Sequence, residues 1–256
     1  TTTDTTTTLT SASQDVTGGT GNDTVAVGAL TATGTFALSS GTDVITATDG
    51  ASIVGVNSGA VTTAETLSFA GGITMTDAQY DGFTTFTAAG ASDSITLSDA
   101  ATALTADSAV ETYVLADATN SITLSSTGAT VTGGTGVDTI TGGAGDDTIK
   151  VALTQDGNTD VMVGGAGTDT LNLTGVSHTF ATNSNLANIE AITLATDATT
   201  LTLTGQTEAF TITTANGANT VVGSAGANTI TGGTAVDTIT GGAGDDTIKV
   251  ALTEDG

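Results

Sequence analysis

Cysteine, proline, tryptophan and arginine are all missing from this chain of 256 residues, and aromatic side chains make up only 3% of it. Without cysteine there is neither a disulfide framework nor a thiolate zinc site. Without arginine the positive charge comes down to Lys150 and Lys249, set against 27 acidic side chains for a net charge of −25. Such a chain cannot neutralise phosphates and release counterions, which excludes nucleic acid as a partner, and an anionic membrane surface repels it. No apolar run approaches the roughly 18 residues that mark a membrane span. Nor does a basic stretch lead into an apolar core, so an export signal is expected outside these residues or of another kind. What is plentiful is glycine, at 35 residues, together with threonine and small apolar side chains. At 38% hydrophobic content and without proline this is not a disordered linker. Small apolar and β-branched residues suit thin, stacked β-structure better than a bulky globular core. A chain this acidic repels itself when compact unless cations intervene, and divalent metal is the obvious remedy.

Two repeats are superimposed on this composition. Residues 133–157 read GGTGVDTITGGAGDDTIKVALTQDG and residues 232–256 read GGTAVDTITGGAGDDTIKVALTEDG, an offset of 99 residues with differences only at Gly136/Ala235 and Gln155/Glu254. Because the second copy runs to the last residue given, the chain is expected to be a segment of a longer repetitive protein. Inside the long repeat lies a period of nine. Ile149, Ile140, Val131, Ile122, Tyr113, Leu104 and Ile95 form one apolar series, and Ile248, Ile239, Ile230, Val221, Ile212, Leu203 and Leu194 form another. Threonine or serine flanks most of them, as in Thr139-Ile140-Thr141, the alternation of a short strand with one buried face. The pattern predicts helix nowhere except, weakly, over Asn183–Glu190. Residues 1–13 read as a threonine-rich lead-in or linker and 14–87 as irregular β-rich sequence with one motif. Residues 88–186 form the first 99-residue unit and 187–256 a second, truncated one.

The full motif is G-G-x-G-x-D-x-U-x, with U apolar. It occurs at Gly18–Ala26, Gly133–Thr141, Gly142–Lys150, Gly164–Asn172 and Gly241–Lys249, with degenerate copies at Gly223–Thr231 and Gly232–Thr240 and a weaker one at Thr214–Val222. Each nonapeptide supplies a six-residue turn and a three-residue strand, so two make a coil of 18 residues with turns on alternate edges. Turns 18 residues apart then stack at the strand spacing of about 4.8 Å. Glycine lets the turns adopt positive φ and direct main-chain carbonyls inward, while the aspartate adds a carboxylate. Calcium takes six to eight hard oxygens at about 2.3–2.6 Å, which two stacked turns can provide.

The candidate ligating turns carry Gly18, Gly19, Gly21 and Asp23; Gly133, Gly134, Gly136 and Asp138; Gly142, Gly143, Gly145 and Asp147; and Gly164, Gly165, Gly167 and Asp169. Towards the end of the chain they carry Gly232, Gly233 and Asp237, then Gly241, Gly242, Gly244 and Asp246. The 18-residue rule pairs Asp138 with Asp156, Asn120 lying one coil earlier, and Asp237 with Asp255, Asn219 lying before them. It pairs Asn228 with Asp246 on the other edge, and Asp93 with Glu111 where the glycines are missing. Asparagine offers a neutral oxygen, so its sites should be weaker. Ala129 stands one coil before Asp147, and Gly164 restarts the motif four residues late, so the spacing predicts a half-formed site there. Asp146 and Asp245, at the variable fifth position, are expected to be solvated. So are Lys150 and Lys249, and His178, with neither cysteine nor a second histidine to share a metal, reads as a loop residue.

These tandem motifs resemble the RTX (repeats-in-toxin) calcium-binding β-roll. The resemblance implies an all-β, parallel β-solenoid, calcium as the cofactor, and a chain that is unfolded without calcium in the cytosol and folds on meeting it outside the cell. No reactive constellation is apparent, since any Ser–His–Asp arrangement would depend on His178 alone, so no enzyme activity is expected. The 99-residue unit and the threonine richness resemble S-layer proteins and large RTX adhesins exported by type I secretion. Among these, a self-assembling surface array at the cell surface is favoured, with self-association and cell-surface polysaccharide as the expected partners. The alternatives are an adhesin segment, the calcium module of a secreted exoenzyme or toxin, and, as a minor reading from the threonine rows, an ice-binding face.

Overall fold

The computed structural model describes residues 3–56, 64–152 and 159–250. The chain is an all-β parallel solenoid, with two compact units, Thr1–Ala116 and Asp117–Gly256. In the first unit the strands Thr6–Thr8, Thr24–Val27, Val44–Ala47, Thr66–Phe69 and Thr85–Ala88 form one sheet, each parallel to the next. Ala51–Ser52, Gly72–Met75, Ser94–Leu97 and Thr112–Val114 form another. The second unit runs Thr130–Thr132, Thr148–Ala152, Thr170–Thr174, Ala191–Leu194, Thr211–Thr213, Thr229–Thr231 and Thr247–Lys249 along one sheet. Its other rows are Asn120–Thr123, Asp138–Thr141, Val161–Val163 and Leu186–Ala187, and then Ser177–Thr179, Thr200–Thr202, Thr220–Val222 and Thr238–Thr240.

Register follows the nine-residue series for Ile95 and Tyr113, from Ile122 to Ile149 and from Ile212 to Ile248. It departs from the series between: Leu171 follows Ile149 by 22 residues, and Ile192 and Leu201, not Leu194 and Leu203, lie beside Ile212 and Val221. Val131 lies beside Ile149, Ile149 beside Leu171, and Ile212 beside Ile230, so each apolar side chain stacks on its equivalent one coil away. Ile95, Tyr113, Val131, Ile140, Ile149, Ile212, Val221 and Ile230 are all fully buried. The flanking threonines stand outward in columns, because alternate strand residues face opposite sides. Burying one isoleucine in such a column is worth about 1.5–3 kcal/mol, the largest repeated contribution to the fold. The lead-in is not a linker throughout: Thr6–Thr8 pairs with Thr24–Val27 and extends the sheet by one strand. The helix weakly expected over Asn183–Glu190 is absent, and that stretch gives the strand Leu186–Ala187 instead.

A one-turn helix lies at Asp77–Tyr80. The Thr76 hydroxyl accepts from the Gln79 backbone N–H, and the Gln79 side chain accepts from the Thr76 backbone N–H. That Thr-x-x-Gln box is readable in the sequence and was the available signal for the helix. Among the described residues no helix is long and apolar enough to cross a membrane.

Coil length varies where the motif is interrupted. Asn120 and Asp138 are 18 residues apart on neighbouring coils, but Asp138 and Asp160, like Asp147 and Asp169, are 22 apart. Strand register is kept across the longer coil: Thr148 pairs with Thr170 and Ile149 with Leu171. The late restart at Gly164 therefore does not break the column at Asp147, whose N–H reaches Asp169 Oδ1.

Candidate metal centres

Each coil edge carries a column of acidic or amide side chains, placed by a simple local rule. An Asp, Glu or Asn two residues before the buried apolar residue of a strand sits where the turn becomes strand, with its own N–H free of the ladder. One oxygen of the next side chain in the column accepts that N–H. Asp23 donates from its backbone to Asp43 Oδ1 at 2.8 Å, and Asp43 to Glu65 Oε2 at 2.6 Å. Asp93 donates to Glu111 Oε2 at 3.0 Å. In the second unit Asn120 donates to Asp138 Oδ1 and Asp138 to Asp160 Oδ1, at 3.1 and 2.9 Å. On the opposite edge Ala129 donates to Asp147 Oδ1, Asp147 to Asp169 Oδ1 and Asp169 to Glu190 Oε2, at 2.8, 2.8 and 2.7 Å. Asn219 and Asn228 donate in the same way to Asp237 and Asp246, at 2.8 and 2.9 Å.

The glycines make room for these carboxylates. A Cβ on Gly133 or Gly142 would lie 2.7 Å from Oδ2 of Asp138 or Asp147, and one on Gly232 would lie 2.6 Å from Oδ2 of Asp237. Gly18, Gly164 and Gly241 face Asp23, Asp169 and Asp246 in the same manner. The second glycine of the motif meets a carbonyl of the preceding coil: Gly143 faces that of Ser125, Gly165 that of Gly143, Gly233 that of Ala215 and Gly242 that of Ser224. Gly136 meets the Ala118 carbonyl, Gly167 that of Gly145 and Gly244 that of Gly226. Gly145 packs on Gly128, Gly21 on the Asp4 backbone, and Gly134 lies in the turn between Gly133 and Gly136. Gly19 and Gly143 donate their N–H groups to Oδ2 of Asp23 and Asp147 at 2.7 and 2.9 Å.

The columns differ in charge. Where asparagine precedes aspartate, its amide donates to the carboxylate: Asn120 Nδ2 to Asp138 Oδ1 at 2.7 Å, Asn219 Nδ2 to Asp237 Oδ1 at 3.3 Å and Asn228 Nδ2 to Asp246 Oδ1 at 3.1 Å. Asp43 and Asp169, each preceded by another acid, accept no such amide. Asp23–Asp43–Glu65, Asp138–Asp160 and Asp147–Asp169–Glu190 stack like charges one coil apart, and Oδ2 of Asp43, Asp138 and Asp169 is buried with no hydrogen-bond partner. Burial, the largest cause, raises the carboxyl pKa of Asp43, Asp138, Asp160 and Asp169 above the usual aspartate value, and neighbouring carboxylates add to it at Asp43, Asp138 and Asp169. Asp23 is the exception, lowered first by the hydroxyl of Thr5.

Asp43, Glu65, Asp160 and Glu190 were not among the residues singled out by the glycine motif, because none of them follows a complete G-G-x-G-x stretch. The signal that finds them is the acid two residues before the apolar core position, as in Asp43-Val44-Ile45 and Glu190-Ala191-Ile192. The 18-residue pairing of Asp138 with Asp156 is replaced: Asp160 occupies the place one coil on, since that coil holds 22 residues. Asp156 itself and Asp255 lie outside the described residues. His178 is no loop residue. It sits on the strand Ser177–Thr179 beside Leu201, 1% exposed, with neither ring nitrogen in a hydrogen bond. Burial holds its imidazole below the ordinary histidine range, opposed by the nearby Gly175 backbone. Asp146, Lys150, Asp245 and Lys249 are exposed.

Among the described residues no three carboxylate or imidazole groups converge on one point. A cation here would therefore have to draw on turn carbonyls as well as carboxylates. The free, buried Oδ2 atoms and the carbonyls aimed at the glycines fit a hard, oxygen-seeking ion. Comparison with known proteins agrees: the family model of the RTX calcium-binding nonapeptide repeat matches residues 12–29, 126–150, 156–173 and 213–248. No curated protein and no solved structure matches the chain.

Proposed function

Since this chain is an RTX calcium-binding repeat protein, we propose that it is a calcium-dependent structural subunit of a bacterial surface array, exported before it folds, and not an enzyme. The observation that carries this reading is the set of like-charged columns with unpartnered, buried carboxylate oxygens at Asp43, Asp138 and Asp169. A buried ionised carboxylate without a partner is strongly unfavourable, and several of them in a chain of net charge −25 cannot be offset by two lysines. Calcium supplies the missing positive charge. Asp23, Asp43, Asp138, Asp147, Asp160, Asp169, Asp237 and Asp246 would hold it, together with turn carbonyls. The chain's own contribution is to bring those oxygens together only when the coils stack, which makes metal binding part of the folding free energy.

That coupling suits export: where calcium is scarce the columns repel and the chain stays open, and where it is plentiful the coils close. The experiment is circular dichroism and thermal melting with calcium and with a chelator, followed by electron microscopy as calcium is restored. Chelation should lower the melting transition sharply and weaken the β signal, and ordered arrays should form on restoration. A melting point unmoved by chelation would end the calcium reading. A calcium-dependent fold that stays monomeric would leave calcium in place and remove the array.

A further inference from the structure

The aromatic side chains are few, six phenylalanines and two tyrosines, and half of them meet in one place in the first unit. Tyr80 stacks on Phe86 with ring centres 4.6 Å apart, Phe83 meets Phe86 edge-on at 5.8 Å, and Tyr113 meets Tyr80 at 6.1 Å. The one-turn helix Asp77–Tyr80 and the stretch from Ala103 to Asp107 wall a cleft of about 300 Å³ over these rings. Its floor is braced: the two tyrosine hydroxyls lie 3.1 Å apart, and both accept the backbone N–H of Asp107 at 2.8 Å. Asp81 and Asp107 are among the residues that line the cleft, and the Asp107 carboxylate also accepts the Ala109 backbone N–H at 2.8 Å. Burial, and then the charge of Asp77, lifts the Asp81 carboxyl above the usual aspartate range, so a cation arriving there would be welcome. None of the family-matched stretches covers these residues.

A cleft lined by two aspartates above closely packed aromatic rings is the chemistry of a site for an organic ammonium group, with charge pairing at the walls and ring edges below. The chain carries two such groups. Lys150 and Lys249 are its whole basic complement, they fall at the same position of the two 25-residue copies, and both are exposed. Both also stand in one outward column of the second unit, which runs Lys150, Asn172, Thr193, Thr213, Thr231, Lys249 from coil to coil. At a strand spacing of about 4.8 Å that places the two ammonium stems roughly 24 Å apart on one sheet face.

We propose that the Tyr80–Asp81–Asp107 cleft receives a lysine of a second copy of this chain, Lys150 or Lys249, and that this is a direct contact of self-association. The inference rests on the surface-array reading and supplies it with a contact. Two lysines on one sheet face and a cleft elsewhere make a heterologous contact, a different patch on each partner. Such contacts propagate into open assemblies instead of closing as a dimer. Between copies that otherwise repel through acidic surfaces, it is also a direct attraction of opposite charges.

Sedimentation velocity of the calcium-loaded protein tests it. Lys150→Gln with Lys249→Gln, and separately Asp81→Asn with Asp107→Asn, should each weaken association at least tenfold while leaving the dichroism spectrum unchanged. Charge exchange is the sharper arm. A chain with Lys150→Glu and Lys249→Glu, and another with Asp81→Lys and Asp107→Lys, should each stay apart alone and assemble when mixed. Folded variants that associate like the parent, or a mixture that stays apart, would overturn the contact and leave the array standing. If the calcium-loaded parent never associates, the contact and the array reading fall together.

Discussion

At the scale of single residues, the columns show why aspartate and asparagine are both used along one edge. Either can accept the N–H of the preceding coil, but only asparagine can also donate to the acid that follows it. Asn120, Asn219 and Asn228 do this, and the unrelieved oxygens lie in the columns where acid follows acid. Asp169 sits between Asp147 and Glu190, accepts from Asp147 at 2.8 Å and leaves Oδ2 unpartnered. Asp169→Asn keeps that acceptor and copies the arrangement the chain already uses elsewhere. It should therefore stabilise the metal-free protein by about 1 kcal/mol and reduce the further stabilisation that calcium brings. Melting curves with and without chelator read both effects. A variant equally destabilised in the two conditions would mean that Asp169 only fills space.

At the scale of the element, what repeats is a turn with room for a carboxylate and a strand with one apolar residue. Gly165 has φ +111°, and a Cβ there would fall on the Gly143 carbonyl, so Gly165→Ala combines backbone strain with a collision against main chain. A loss of about 2–4 kcal/mol is expected, strain alone accounting for 1–3. Gly28, with nothing within 4 Å of a built Cβ, is the control. Gly28→Ala should be neutral or stabilise by up to about 1 kcal/mol. Urea denaturation of the calcium-loaded proteins measures both, and equal losses would remove the steric account of the motif glycines. The strands themselves were legible where the period of nine holds, as in Val131 beside Ile149, while Leu171, 22 residues on, stacks in the same row outside that period. Coil length was not. The strands fix which residues pair, while the turns absorb insertions at little cost, since closing a loop grows only slowly more expensive with length. Hence the 18-residue rule finds Asn120 and Asp138 but passes over Asp160. The acids outside the glycine motif were missed because the motif was read as one object, although its carboxylate and its glycines have separate jobs. His178 was misplaced for a related reason. Polarity assigned it to a loop, while the register against Leu201 puts it in the core.

At the scale of the whole molecule, these groups give the protein an unusual response to acid. A carboxyl whose folded pKa is raised holds its proton more tightly folded than unfolded. The folded chain then binds more protons above the ordinary aspartate value of about 3.9, and stability falls as pH rises through that range. Asp43, Asp138, Asp160 and Asp169 all act in this direction. Asp23, lowered by the Thr5 hydroxyl, acts in the opposite one, its contribution being lost as pH falls. His178, also lowered, refuses a proton that the unfolded chain accepts below about 6.5, so its burial costs stability as pH drops. His178→Leu removes that opposing response and matches its neighbour Leu201 in the column. In this background the chelated protein should gain melting temperature as pH falls from 7 towards the ordinary aspartate value of about 3.9, at about 2–4 °C for each kcal/mol. With calcium present the slope should reverse, because protons then compete with the metal for the same oxygens. Melting temperatures across that pH range, with and without chelator, therefore move in opposite directions. If the chelated variant loses stability on acidification just as the calcium-loaded one does, the buried columns are not where the charge of this chain is held in check.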